Sequence, residues 1–350
     1  QVQTSLGGET VFSLNRARAR GFQHAAPTVE LVRRLLADQH PDLAGQRLTI
    51  VANGWDNVIV RVGDDLVARL PRRQAGADLV LNEQRWLPTL ATRLPIPIAA
   101  PVRFGQPAAD YPWHWSICPW FDGEVAADTA LADPVGEADR LGAFVRALHQ
   151  PAPADAPENP FRGQPVGELV PRVHANLARL GLDGAHRAVV AALVDHLAAT
   201  PEWDGPPVWL HGDLHSANLI VRDGRIVAVL DLGDLTSGDP AVDLAVAWML
   251  FDGDARARFR SAVDSDDDTW RRARLWAIHF ALLYLLHSAG SERFARMGHH
   301  LLGAAAAQPE SARETGPSTG PARQLLGSDG KGVVDAGQLD EGAAGLKQHG

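Results

Sequence analysis

The sequence has a single cysteine, Cys118, so one chain can form neither an internal disulfide nor a cysteine-based zinc site. It has no apolar run near the ~20 residues needed to cross a bilayer. Its start shows no positive segment followed by an apolar core and a cleavage site. Basic residues are the minority, 33 against 42 acidic ones, which gives a formal net charge of −9. That balance argues against a nucleic-acid partner. No internal repeat is evident. These absences lead to the expectation of a reducing, cytoplasmic setting, with no membrane, no nucleic acid and no obligatory protein partner.

What is present is a globular composition: 350 residues, 45% hydrophobic and 21% charged. That length is ample for a core and suits one large unit or two. Residues 1–25 lack periodicity and read as a flexible basic arm with Arg16, Arg18 and Arg20. A helical pattern follows from Thr28 to Pro41. Leu48–Val51, Val58–Val62 and Leu66–Leu70 then read as three short antiparallel strands. A helix is expected over Ala77–Leu90, with Glu83 near its middle, and two further strands at Val102–Gly105 and Trp113–Cys118. Beyond about residue 120 the pattern turns helical. Segments are expected at Val135–His149, Val166–Leu180, Ala185–Ala199, Pro240–Phe251, Ala255–Val263, Asp268–Ser288 and Glu292–Ala307. Gln150–Pro165 is proline-rich and reads as an ordered, irregular loop. Residues 308–350, polar and rich in Gly and Ala, read as a disordered tail.

One stretch carries chemistry. An apolar lead-in, Val208–Leu210, enters the polar loop His211-Gly212-Asp213-Leu214-His215-Ser216-Ala217-Asn218. Leu219–Val221 and Ile226–Leu230 flank an Asp223-Gly224 turn, a strong hairpin signal. Pairing them brings Asp231 back beside Asn218. Phosphoryl transfer to a hydroxyl needs a carboxylate to take the proton, oxygen ligands for Mg2+, and a held cation for the phosphates. Asp213 fits the first role, Asn218 and Asp231 the second, and Arg69 paired with Glu83 the third.

The set formed by His211–Asn218, Leu230–Asp234 and Gly238–Ala245 resembles the Brenner-type motifs of the aminoglycoside phosphotransferase family, over roughly Leu48 to Gly303. The five-residue step from Asp213 to Asn218 also matches a protein-kinase catalytic loop. The resemblance implies an α+β, bilobal, protein-kinase-like fold. Residues 26–120 would be the nucleotide-binding lobe and 121–307 the helical lobe with the catalytic loop and acceptor site. It implies ATP (or GTP) and Mg2+ as cofactors and a small-molecule hydroxyl as acceptor, an aminoglycoside among others. By position, Asp213 would be the base, and Asn218 and Asp231 the metal ligands. His211 would buttress the loop and Asp243 would accept hydrogen bonds from its backbone. In the hinge strand, Cys118 C=O and Trp120 N–H would read adenine. The chain departs from the pattern at three places. Gly54 is the single glycine of the phosphate-binding turn, Arg69 replaces the family's lysine, and Leu232 replaces a phenylalanine.

Other readings compete. His211 and His215 with Asp213, Asp231 and Asp239 could make a metal-hydrolase site, but Gly212 and the preceding strand put the histidine pair on a loop rather than a helix. Asp264–Asp268 could hold a polycation, although a solvated loop with Asp268 near a helix start is favoured. Leu70-Pro71-Arg72-Arg73 is similar to macrolide kinases, and choline, an amino sugar or a hydroxylated amino acid are further acceptors to weigh. A catalytically silent nucleotide-binding protein of the same fold is the reading from a different class.

Overall fold

A computed structural model describes residues 27–53, 57–288 and 291–307. The expected arm, Gly54 and the expected tail lie outside the described residues.

Helix α1 (Val29–Gln39) starts where Thr28 Oγ1 accepts the Leu31 N–H at 3.2 Å, and it buries Leu31, Val32, Leu35 and Leu36 on one stripe. Strands β1 (Leu48–Asn53), β2 (Asn57–Val62) and β3 (Leu66–Pro71) form the expected meander. In β2 the alternation is clean, with Val58, Val60 and Val62 facing the core. Helix α2 (Gln74–Ala91) follows, three residues longer at its start than its apolar pattern suggested. Strands β4 (Arg103–Gly105) and β5 (Trp115–Pro119) complete an antiparallel sheet of order β1-β2-β3-β5-β4.

The remainder is mainly helical: α3 (Pro134–Leu148), α4 (Val166–Arg179) and α5 (Gly184–Ala198) come before the hairpin. Two short strands, β6 (Glu124–Val125) and β7 (Val208–Leu210), enter here, and β6 adds to β8 (Leu219–Arg222), which pairs with β9 (Arg225–Val229). The turn residues Asp223 and Gly224 both have positive φ, 53° and 74°, as a tight hairpin turn requires. Strand β10 (Thr236–Gly238) pairs back onto β7. The expected single helix over Pro240–Phe251 is two, α6 (Ala241–Leu244) and α7 (Val246–Leu250). Bonds of the i→i+3 kind, Asp243 N–H to Pro240 O and Trp248 N–H to Ala245 O, tighten the backbone there. Helices α8 (Gly253–Val263), α9 (Asp267–His287) and α10 (Glu292–Ala306) close the chain. Helix α9 is buried continuously from Arg272 to Tyr284 and forms the centre of the helical core.

The two parts are stitched beside the hairpin. Val229 N–H donates to Pro97 O at 2.9 Å, and Ala99 N–H donates to Val229 O at 3.3 Å. The end of β9, where Asp231 follows, is thereby fixed to the segment that leads into the sheet.

Candidate active site

The loop between β7 and β8 is held by its backbone. Asp243, fully buried in α6, accepts the His211 N–H at 2.8 Å and the Gly212 N–H at 2.9 Å, one on each carboxylate oxygen. His149 at the end of α3 faces the same carboxylate at 3.1 Å. Gly212 has φ +81°, and a Cβ there would meet Asp234 O at 2.5 Å, so only glycine fits. His211 spends both ring nitrogens on the backbone: Nε2 faces Leu230 O at 2.9 Å and Nδ1 accepts the Asp213 N–H at 3.2 Å. A histidine used in this way has no nitrogen left for a metal. His215 likewise accepts the Ala217 N–H through Nδ1, at 3.2 Å.

Asp213 is buried beside a residue that periodicity cannot reveal. Arg162, from the proline-rich loop, places Nη2 2.9 Å from Asp213 Oδ1 and 2.9 Å from Asp234 Oδ2. Burial alone would raise the Asp213 carboxyl, but Arg162, His215 and His211 outweigh it and hold it down to about 2. Such a group is ionised at every physiological pH. The only sequence signal for Arg162 is a lone arginine in a loop that also holds Asp155 and Glu158, and its partners are 51 and 72 residues away.

Asn218 and Asp231 are brought together as the hairpin promised, with Leu230 N–H donating to Asn218 O at 2.8 Å. Asn218 Nδ2 donates to Asp213 O at 3.0 Å, a bond that uses the amide's donor and not its oxygen. Asp231 is 34% exposed at its side chain and sits in the left-handed region, φ 57°, which aspartate tolerates better than most residues. An amide oxygen and an exposed carboxylate are the hard donors Mg2+ takes, with nucleotide phosphates and water supplying the rest. The donor set fits that ion.

Arg69 in β3 lies 3.0 Å from Glu83 Oε1 in α2 and 3.8 Å from Asp231 Oδ1, linking the sheet to the hairpin. The Glu83 contact is an ion pair without hydrogen-bond alignment. Burial disfavours charge on Arg69, but Glu83 and Asp231 overcome it and push its pKa up, so it stays cationic. Burial pushes the Glu83 carboxyl up against the pull of Arg69.

The hinge strand is placed differently from the expected adenine contact. Trp120 N–H donates to Asp65 O at 2.7 Å, and its indole N–H donates to Asp122 Oδ1 at 2.6 Å, so neither donor points at a base. Cys118 lies in β5 opposite Val67, buried, with its thiol pushed up to about 12 by burial, which leaves it inert as a nucleophile. Around it Val67 and Ala99 form a small apolar cluster, flanked by Ile59, Phe121 and Leu230. Sequence reading missed this surface because its members come from five separate segments.

Residues 47–276 match the phosphotransferase enzyme family. Stress response kinase A of Salmonella choleraesuis (strain SC-B67) and serine/threonine protein kinase RdoA of Salmonella typhimurium (strain LT2) are each 28% identical over 216 residues. Those matches cover 58% of this chain and 62% of each relative, so the chain spans about six-tenths of their length. Among solved structures, the GDP complex of aminoglycoside 2'-phosphotransferase-IIIa superposes with a TM-score of 0.63 at 19% identity, covering 80% of this chain and 99% of that one. Macrolide 2'-phosphotransferase MphH from Brachybacterium faecium gives a TM-score of 0.53 at 23% identity, covering 81% and 100%.

Proposed function

Because the chain belongs to the phosphotransferase enzyme family, we propose that it moves the γ-phosphate of ATP or GTP onto an alcohol hydroxyl. In this reading residues 26–120 bind the nucleotide, and residues 121–307 carry the base and the acceptor. Arg69, held by Glu83, meets the phosphates, and the apolar surface of Val67, Ala99 and Leu230 takes the base. Asn218 and Asp231 would hold Mg2+, which shields phosphate charge when bound. Asp213 orients the acceptor hydroxyl and receives its proton as the oxygen–phosphorus bond forms and the nucleoside diphosphate leaves. Its low proton affinity suits a transition state in which the proton moves late.

The observation that carries this reading is the convergence of Asp213, Asn218 and Asp231, tied by Asn218 Nδ2 to Asp213 O at 3.0 Å and by Leu230 N–H to Asn218 O at 2.8 Å. The test is Asp213→Asn. It is expected to lower ADP release from Mg-ATP by 10²-fold or more, on the order of a general base's contribution, while ADP affinity by calorimetry stays within about threefold. Turnover equal to the unaltered chain would remove Asp213 from the role. Tight ADP binding with no turnover on any acceptor would favour a silent nucleotide binder.

Two acceptor classes have support. A polycationic aminoglycoside needs free carboxylates. Within the acidic run Asp266 accepts the Thr269 N–H at 2.6 Å, Asp267 pairs with Arg260 and Asp268 pairs with Arg271 at 2.8 Å, while Asp264 is exposed at the end of α8. A serine or threonine hydroxyl is the second reading, supported by the name of the Salmonella typhimurium relative. A screen of kanamycin, erythromycin, choline and a serine/threonine peptide separates the two.

A further inference from the structure

We propose, on the phosphotransfer reading above, that Arg162 is a positioning residue that holds one oxygen of Asp213 and so commits the other to the acceptor hydroxyl. The two oxygens have different surroundings. Oδ1 takes Arg162 Nη2 at 2.9 Å in a fully buried ion pair. Oδ2 is buried and makes no hydrogen bond among the described residues; the His215 Nε2 stands 3.5 Å away. The His215 Nε2 is a donor at the limit of hydrogen-bond range, and a buried carboxylate oxygen held only that weakly gains from a closer one. The hydroxyl of an acceptor is such a donor, and its proton passes to Oδ2 as its oxygen bonds to phosphorus.

Arg162 is itself held at Nη2 and packed against an aromatic ring. Its Nη2 also reaches Asp234 Oδ2 at 2.9 Å, and its guanidinium lies over the Phe280 ring at 5.5 Å. Asn159 locks the loop by donating from Nδ2 to Asp234 Oδ1 at 3.0 Å and by accepting the Phe161 N–H at 3.0 Å. Asp239 N–H reaches Gly163 O at 3.4 Å. One amino group thus bridges the loop that carries the base and the turn that follows Asp231. The carboxylate plane of Asp213 cannot rotate without breaking that bridge. An arginine suits the task because its guanidinium is planar and always charged, so that one nitrogen can meet two carboxylates in a fixed direction.

The test is a double-mutant cycle between Arg162→Ala and Asp213→Asn, read by ADP release from Mg-ATP with kanamycin, erythromycin, choline, a serine/threonine peptide or water as acceptor. Arg162→Ala is expected to lower kcat about 10²-fold, with acceptor KM and ADP affinity within about threefold. In the Asp213→Asn background the same change should alter turnover by less than about twofold, because the group it acts through is gone. Equal losses in both backgrounds, or a loss in KM or ADP affinity instead of kcat, would overturn the role. Should Arg162→Ala not fold, Arg162→Lys and Arg162→Gln decide: lysine should retain at least about tenfold more turnover than glutamine, and equal rates would refute the idea. No turnover by the unaltered chain on any of these acceptors would sink the phosphotransfer reading and this role with it. Turnover indifferent to Arg162 would sink this role alone.

Discussion

At the scale of single residues, the site is a set of charges whose partners are assigned. Arg69 serves Glu83 at 3.0 Å and Asp231 at 3.8 Å, so it joins the sheet to the metal-ligand candidate through one side chain. Removing it leaves Glu83 buried and uncompensated, a change that costs about 3–5 kcal/mol when such a pair is broken from one side. Arg69→Ala is therefore expected to lower both the melting temperature and nucleotide affinity. Arg69→Lys should keep affinity within about threefold, since a lysine also supplies a phosphate-binding cation. Nucleotide titration of the two variants, with a melting curve for each, checks this; equal affinity in Arg69→Ala would remove Arg69 from the phosphate site. Asp213, Asn218 and Asp231 were readable in the sequence because their separation is set by a tight turn and one hairpin, which are local. Arg162 was not, because a salt bridge across 51 residues leaves no periodic trace.

At the scale of elements, the long helices, the meander and the apolar lead-in of β7 followed from apolar spacing, whereas β6 and β10, of two or three residues, are too short to show any. The split between α6 and α7 was hidden for another reason: the apolar pattern continues across Ala245 while the hydrogen-bond step changes. Helix α9 makes a pH prediction. His279 on it is buried, and burial, reinforced by Arg162 and Arg172, lowers its pKa from 6.5 to about 3. The folded chain keeps this imidazole neutral where the unfolded chain would protonate it. Its contribution is complete above pH 6.5 and is lost progressively as pH falls toward 3. His40 and His287 shift in the same direction. The urea midpoint should therefore drop between pH 7.5 and 5, and His279→Phe should make that drop smaller. An unchanged pH dependence in the variant would mean that His279 is not held neutral.

At the scale of the whole molecule, the described fold ends with α10, whose last turn is tied down by Arg274 Nε donating to Ala305 O at 2.8 Å. A cut made after residue 307 spares that bond. Deleting 308–350 is expected to leave the melting temperature and ADP release unchanged, and a large loss in either would give those residues a part in the fold or the site. The clamp of Asp243 on the backbone N–H groups of His211 and Gly212 also bears on how the chain is made. Asp243 lies 32 residues beyond His211. At synthesis rates of roughly 5–20 residues per second, the loop leaves the ribosome seconds ahead of the carboxylate that shapes it. Until α6 has emerged and docked, the nascent chain carries Asp213 but not the geometry of its loop. The loop is thus given its shape late, by a residue made after it.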